Sequence, residues 1–219
     1  MERKNLKVII FDIDGTLTEG VDSWYFLTEH LGGDVQEHQR VLQTQERGEL
    51  SESQAKNLML NRVWHIERGI TKKEIEEIFN VVPIKKDAGG VIRYLKDKDY
   101  ILCLITGSVE PFAKIIAEKL GIDYYYANTP FVYDDHGVLI DYHRDPEADK
   151  KKLEQLKVFL TERGLEPEEC VAVGNSWNDI ELFSYTGNGI AVKSPERNEE
   201  LENIAWKTIA ALSELKEIL

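Results

Sequence analysis

The stretch KVIIFDIDGTLTEG (residues 7–20) runs four apolar residues, VIIF, into two aspartates spaced two apart and then into Gly-Thr. A short run of branched and aromatic side chains, apolar at every position, is what a strand covered on both faces requires. If the extended backbone continues past it, Asp12 and Asp14 point the same way and Ile13 turns to the opposite side. Two carboxylates that close repel each other unless a proton, a cation or separate chemical roles relieve the repulsion. Gly15 permits a tight turn directly after them, and Thr16 brings a hydroxyl donor. A strand over 6–11 is therefore expected to carry a pair of carboxylates to a site.

The same apolar texture returns in YILCLIT (100–106), CVAVG (170–174) and GIAV (189–192). Helical patterns lie between these runs at 85–97, 109–120, 150–163 and 178–184, and a last one over 197–217 closes the chain. Strands alternating with helices predict an α/β fold with a mostly parallel sheet flanked by helices on both faces. TPFVYDDHGVLIDY (129–142) has two short β-rich arms around DDHG and reads as a β-hairpin beside that sheet. From Val21 to Val81 no strand pattern occurs. Helical stretches are expected there at 21–31, 34–47, 51–67 and 71–79, the last opened by the capping-box spacing of Thr71 and Glu74. The organisation expected is a discontinuous core, 1–17 and 82–219, with a small all-helical domain at 18–81 inserted after the first strand.

Hydrophobic content of 42% and charged content of 31% exclude a disordered chain. No apolar run approaches the roughly 20 residues that a bilayer span requires, and MERKNLKVIIF has no signal-peptide pattern, so no membrane partner and a cytoplasmic location are expected. Cys103 and Cys170 both sit inside apolar runs and read as small buried hydrophobes. Forty acidic against 27 basic residues, a formal net charge of -13, disfavour nucleic acid as a partner. A small anion is still admissible where a lysine, a cation and backbone N–H groups converge locally.

In an open α/β sheet, ligands bind beyond the C-terminal strand ends, and four polar segments fall there. The first is the Asp12/Asp14 pair, whose demand for charge relief is met by a hard divalent cation such as Mg²⁺, a usual companion of phosphate. ITGSVEP (105–111) supplies the Thr106 hydroxyl, close backbone approach at Gly107, and the N–H groups around Ser108 ahead of a helix N-terminus. Ser108 is equally suited to cap that helix. Lys150, Lys151 and Lys152 open the third core helix, and one ammonium turned into the cleft would hold a transferring phosphoryl group; helical phase admits more than one of them. VAVGNSWNDIEL (171–182) places Asn175, Asn178 and Asp179 in one compact loop, with Asp179 a candidate metal ligand and Asn175 either a carbonyl ligand or a turn cap. Together these residues suit nucleophilic phosphoryl transfer, in which Asp12 attacks phosphorus while Asp14 protonates the leaving oxygen and then activates water.

On D12-I-D14-G15-T16, T106-G107-S108, the K150-K151-K152 run and G174-N175-S176-W177-N178-D179, the sequence resembles the haloacid dehalogenase-like superfamily, specifically its phosphatases, over residues 8 to about 182. The resemblance implies a Rossmann-like core, an aspartyl-phosphate on Asp12, and Mg²⁺ bound by Asp12, the backbone carbonyl of Asp14 and the fourth motif. It favours Lys152, 23 positions before Asn175 as in phosphoserine phosphatase-like members, with Lys151 the runner-up. One departure is Asn175 where the family usually has aspartate, which lowers the charge offered to the metal and leaves Asp179 as the main carboxylate of that loop. The inserted helices look like the helical cap of this superfamily, which suits a small phosphorylated metabolite. Phosphoserine itself is a named possibility: Arg62 is a candidate for its carboxylate, but Val21 stands where a glutamate meets the serine ammonium. Phosphomutase chemistry and a weakly catalytic regulatory module are the alternatives. Trp64, Trp24, Tyr25 and Phe26 face either the cleft or the cap interior, and no histidine is assigned a catalytic part.

Overall fold

The computed structural model describes residues 5–145, 147–194 and 198–219. In chain order the elements are β1 (Val8–Phe11), α1 (Ser23–His30), α2 (Val35–Glu46), α3 (Glu52–Leu58), α4 (Lys72–Phe79), α5 (Ala88–Asp97), β2 (Ile101–Val109), α6 (Glu110–Leu120), β3 (Tyr124–Thr129), β4 (Phe131–Tyr133), β5 (Leu139–Tyr142), α7 (Ala148–Arg163), β6 (Cys170–Gly174), α8 (Ile180–Thr186), β7 (Gly189–Val192), α9 (Glu199–Ile204), β8 (Lys207–Ile209) and α10 (Leu215–Ile218). The main sheet is six-stranded in the order β3-β2-β1-β6-β7-β8, with every pairing parallel.

β1 is central, and all four of its residues are buried. Their alternation explains the unbroken apolar run. Ile9 and Phe11 enter one hydrophobic cluster, with Val91, Ile92, Phe112 and Ile116 of α5 and α6. Val8 and Ile10 enter a second on the opposite face, with Leu156 and Phe159 of α7 and Leu182 and Phe183 of α8. Each such side chain contributes roughly 1.5–3 kcal/mol on burial. The chain leaves β1 towards β2 on one side and returns through β6 on the other, so the crevice beside β1 opens at its carboxyl end, where Asp12 stands. Cys103 and Cys170 are free and buried in the second cluster. Among the described residues no helix is long and apolar enough to cross a membrane.

Helices α1 to α4 form the inserted cap. Its interior is built on Trp64, which is fully buried, stacks on Trp24 at 5.8 Å and donates its indole N–H to Thr28 Oγ1 at 2.8 Å. Phe131 and Tyr142 of the β4–β5 hairpin pack on the same ring. The hairpin forms its own two-stranded sheet and is tied to the cap, with Lys72 N donating to Gly137 O and Leu139 N to Ile70 O at 2.8 and 2.7 Å. It therefore braces the insertion rather than lying only beside the main sheet.

Two expectations are corrected, and one strand, β3, has no counterpart among them. The helix over 51–67 ends at Leu58, passes through a π-turn at Met59–Val63 and breaks at His65, whose left-handed backbone (φ 52) reverses the chain. The helix over 197–217 is split: Ala205 is extended (ψ 137), Trp206 N donates to Gly189 O, and β8 pairs with β7. The unpaired edge of β7 supplies hydrogen bonds there that outweigh a helical spacing of Ile209, Leu212 and Leu215, and the branched Thr208 and Ile209 suit a strand. β3 carries no apolar alternation because it is an edge strand whose tyrosines stay partly exposed. Residues 195–197, inside or beside the last expected helix, lie outside the described residues.

His38, buried in the cap, places Nδ1 2.7 Å from Thr28 Oγ1, while burial and then the Arg144 guanidinium push its imidazole down to about 4. A histidine held neutral in the fold contributes stability above its ordinary value near 6.5, and that stability is lost as pH falls from there towards 4. The expected loss is on the order of 3 kcal/mol. Thermal midpoints of His38→Asn should fall less steeply than those of the wild type across this window; parallel curves would reject the assignment.

Candidate active site

Asp12 continues β1, its N–H donating to Val173 O at 2.9 Å, and the residue is only 4% exposed. Lys152, near the start of α7, is fully buried and sends its ammonium into the same space. Nζ donates to Asp12 Oδ1 at 2.7 Å, to Asn178 Oδ1 at 2.7 Å and to Asp179 Oδ1 at 2.8 Å, so each of its three protons has an acceptor. Asp179 spends its other oxygen on the loop, accepting from Asn175 N at 3.0 Å and Ser176 N at 3.1 Å. Ser176 Oγ donates to Asn178 Oδ1 at 2.8 Å. This arrangement requires glycine at 174, because a Cβ there would lie 2.3 Å from Asp179 Oδ2. Gly15 is similarly constrained: φ is +72° and a Cβ would meet Asn175 Nδ2 at 2.5 Å. Across that contact Thr16 Oγ1 donates to Asn175 Oδ1 at 2.9 Å, joining the first and fourth motifs.

Burial pushes the Asp12 carboxyl up to about 6; the Lys152 ammonium opposes this and the Asp179 charge adds to it. Asp14 is held well above the usual carboxylate range, by burial first and then by the charges of Asp22 and Asp12. It is met by Ser23, whose N–H donates to Asp14 Oδ1 at 2.8 Å and whose hydroxyl lies 3.2 Å from Asp14 Oδ2. Ser23 Oγ also bonds Ser108 Oγ. β1 and β2 run in parallel register up to Phe11 and Leu104, so Thr106, still paired with Ala127 of β3, lies at the same carboxyl end of the sheet as Asp12. Ser108 does not cap α6: β2 extends to Val109, the helix begins at Glu110 with Pro111 in its first turn, and the Ser108 N–H turns back to Thr106 Oγ1 at 3.2 Å.

Two expected residues are not drawn into this cluster. Lys151 is 39% exposed and pairs with Glu154, which leaves Lys152 as the buried lysine. Arg62 is 65% exposed and pairs with Glu37 within the cap. The sequence reading missed Ser23 and Lys85, whose Nζ donates to Gly15 O at 2.7 Å. Neither has a periodic or motif signal, since Ser23 is simply the first residue of an amphipathic helix and Lys85 one lysine of a pair. A cleft of about 380 Å³ is lined by Leu42, Gln45, Glu46 and Glu52 of the cap and by Arg144 and Trp177 of the core, and it meets the fourth motif through Trp177. Trp177 is 58% exposed and immediately precedes Asn178. The Arg144 guanidinium lies 5.7 Å from the Trp24 ring centre.

Among the described residues no three His, Cys, Asp or Glu side chains converge as a metal cage. The ligands the motifs offer, a carboxylate oxygen of Asp12, the main-chain carbonyl of Asp14 and the oxygens of Asn175 and Asp179, are an all-oxygen set, with Asp12 Oδ1 accepting here from Lys152 and Asn175 Oδ1 from Thr16. Such a set fits Mg²⁺, which binds through few protein oxygens and keeps several waters. Asp179 likewise has Oδ1 on Lys152 and Oδ2 on the Asn175 and Ser176 N–H groups in the arrangement seen.

The family profile of haloacid dehalogenase-like hydrolases matches residues 9–184. The chain belongs to this family. It is 28% identical over 194 residues to a phosphoserine phosphatase of Methanocaldococcus jannaschii, covering 87% of each chain. It is 26% identical over 191 residues to a phosphoserine phosphatase of Archaeoglobus fulgidus, where it spans 53% of that longer protein and 87% of this one. Among solved structures, a phospho-aspartyl intermediate analogue of phosphoserine phosphatase superposes with a TM-score of 0.73 at 25% identity, covering 99% of this chain and 100% of that one. A haloacid dehalogenase-family hydrolase from Salmonella enterica gives a TM-score of 0.77 at 18% identity, over 97% of this chain and 70% of that one, and shows the shared fold.

The two neighbouring lysines provide a direct check on the buried cluster. Lys152→Met should lower phosphate release by about 100-fold or more, whereas Lys151→Met should stay within about threefold of the wild type. Initial rates on any turned-over phosphomonoester, with folding verified by circular dichroism, would measure this.

Proposed function

We propose that this haloacid dehalogenase-like hydrolase is a Mg²⁺-dependent phosphomonoesterase acting on a small phosphorylated metabolite. The single observation that carries the reading is the fully buried Lys152 ammonium shared by Asp12, Asn178 and Asp179. An uncompensated cation would not be stable there, and its partners are an attacking carboxylate and a loop able to receive phosphoryl oxygens.

In this mechanism an Asp12 carboxylate oxygen forms a bond to phosphorus as the bond to the leaving oxygen breaks. Asp14, whose burial favours its protonated form, gives that oxygen its proton. Asp14 then takes a proton from water, whose oxygen attacks the aspartyl-phosphate, releasing inorganic phosphate and restoring Asp12. Thr106, the N–H groups of Gly107 and Ser108, Lys152 and Asn178 receive the phosphoryl oxygens, while Gly15 and Thr16 shape the turn beneath them. Asp12, the Asp14 carbonyl, Asn175 and Asp179 would hold Mg²⁺. When bound, the ion supplies positive charge that neutralises the phosphoryl oxygens during transfer.

The leaving group would occupy the cleft between cap and core. Arg144 and the carboxylates of Glu46 and Glu52, which line it, suit a leaving group bearing both a carboxylate and an ammonium. This favours phosphoserine as the substrate, the reading that the names of the relatives also support. Arg144 then takes the part that the sequence assigned to Arg62.

A phosphate-release panel of metabolite phosphomonoesters should show turnover that requires added Mg²⁺, and Asp12→Asn should abolish it by about 1,000-fold or more. Residual release equal to that of the wild type would assign the activity elsewhere. Arg144→Ala should reduce kcat/KM for O-phosphoserine by about 10- to 100-fold while changing O-phosphoethanolamine, which lacks the carboxylate, by less than about threefold. Equal losses would remove Arg144 from substrate recognition.

A further inference from the structure

The contact between Asp14 and Ser23 crosses from the core into the cap, and nothing in the phosphoryl-transfer motifs calls for it. Ser23 is the first residue of α1 and is fully buried. Its helix is capped by a different residue: the Asp22 side chain accepts from Trp24 N and Tyr25 N. The N–H of Ser23 is thereby left to an acceptor outside the helix, and it takes Asp14 Oδ1 at 2.8 Å. Its hydroxyl takes Asp14 Oδ2 at 3.2 Å, so both carboxyl oxygens are held by one residue. The same hydroxyl bonds Ser108, next to the expected phosphate-binding Thr106 and Gly107.

We propose that Ser23 is a positioning residue for the acid step: it fixes the Asp14 carboxyl in the plane from which the leaving oxygen is protonated, and couples that placement to the seating of the first cap helix. The inference rests on the phosphatase reading above. Two oxygens held from one side fix the rotation of a carboxyl group, which a single hydrogen bond does not. A hydroxyl is also the group suited to a partner that changes form during the reaction, since it donates to a carboxylate and accepts from a carboxylic acid. Ser108 completes the set, because its own hydroxyl proton can be given to Ser23 Oγ while Ser23 donates to Asp14. Cap, acid and phosphate loop are in this way joined by two side chains. A cap not seated on the core would leave Asp14 without its orienting partner, so protonation of the leaving group would be withheld until closure.

The test separates esters by what they ask of an acid. An alkyl phosphomonoester such as O-phosphoserine needs its leaving oxygen protonated, whereas p-nitrophenyl phosphate departs as a stable phenolate without help. In the Mg²⁺-loaded full-length protein, Ser23→Ala should lower kcat/KM for the alkyl ester by about 100-fold and that for p-nitrophenyl phosphate by no more than about threefold. The parameter kcat/KM is chosen because it reports formation of the aspartyl-phosphate, the step in which the leaving group departs. Ser23→Thr and Ser23→Val are close in shape and differ in the hydroxyl, so this pair should reproduce the same contrast if Ser23→Ala folds poorly. Equal losses on both esters, or equal behaviour of the Thr and Val variants, would overturn the positioning role. Failure of the wild type to release phosphate from either ester would instead overturn the phosphatase reading on which it stands.

Discussion

A buried ammonium has to have all three of its protons accepted, and in this chain the acceptors come from two remote segments. Lys152 on α7 is held by Asp12 after β1 and by Asn178 and Asp179 after β6. Burying the ion without those oxygens would cost several kcal/mol, so the loop ends are held in register by the same contacts that neutralise the charge. The constraint propagates outward. Asp179 is itself positioned by the N–H groups of Asn175 and Ser176, and that geometry leaves no room for a side chain at 174. The Gly15 turn is bound to the same loop through Thr16 and Asn175.

The sheet gives these loops a common edge, and the cap gives them a roof. The hydrophobic cluster on one sheet face runs without interruption into the insertion, through Phe112, Phe79 and Leu27. The hairpin clamps the insertion from the other side with Phe131 and Tyr142 on Trp64. A cap anchored at both sides defines two things at once: the walls of the cleft beside the catalytic loop, and the position of Ser23 against Asp14.

On the proposed reading, anion recognition in this protein is local. The chain as a whole carries a formal charge of -13, so its general field does not draw phosphate in. Attraction depends on a few cations and backbone donors near the strand ends, where low dielectric strengthens each of them. Asn175 fits that economy of charge: with an amide at this position, one fewer carboxylate competes with the incoming phosphoryl group.

What the sequence determined by itself was the part encoded in local pattern. Alternation onto two covered faces made VIIF a central strand, the i, i+2 spacing made Asp12 and Asp14 a pair, and the strand–helix rhythm brought Thr106 and Asp179 to the same edge. Local pattern has no access to edges and long-range partners. It took 197–217 as one helix because an amphipathic spacing is also satisfied by a strand that an open sheet edge recruits, and it passed over β3 because an edge strand need not be apolar. It left three lysines open, since only packing of α7 against the sheet decides which ammonium is buried. It offered Arg62 as a candidate for a substrate carboxylate and saw nothing in Ser23. A serine at a helix start looks the same whether it faces water or a carboxylate brought from another segment, and only the tertiary fold sets that distance.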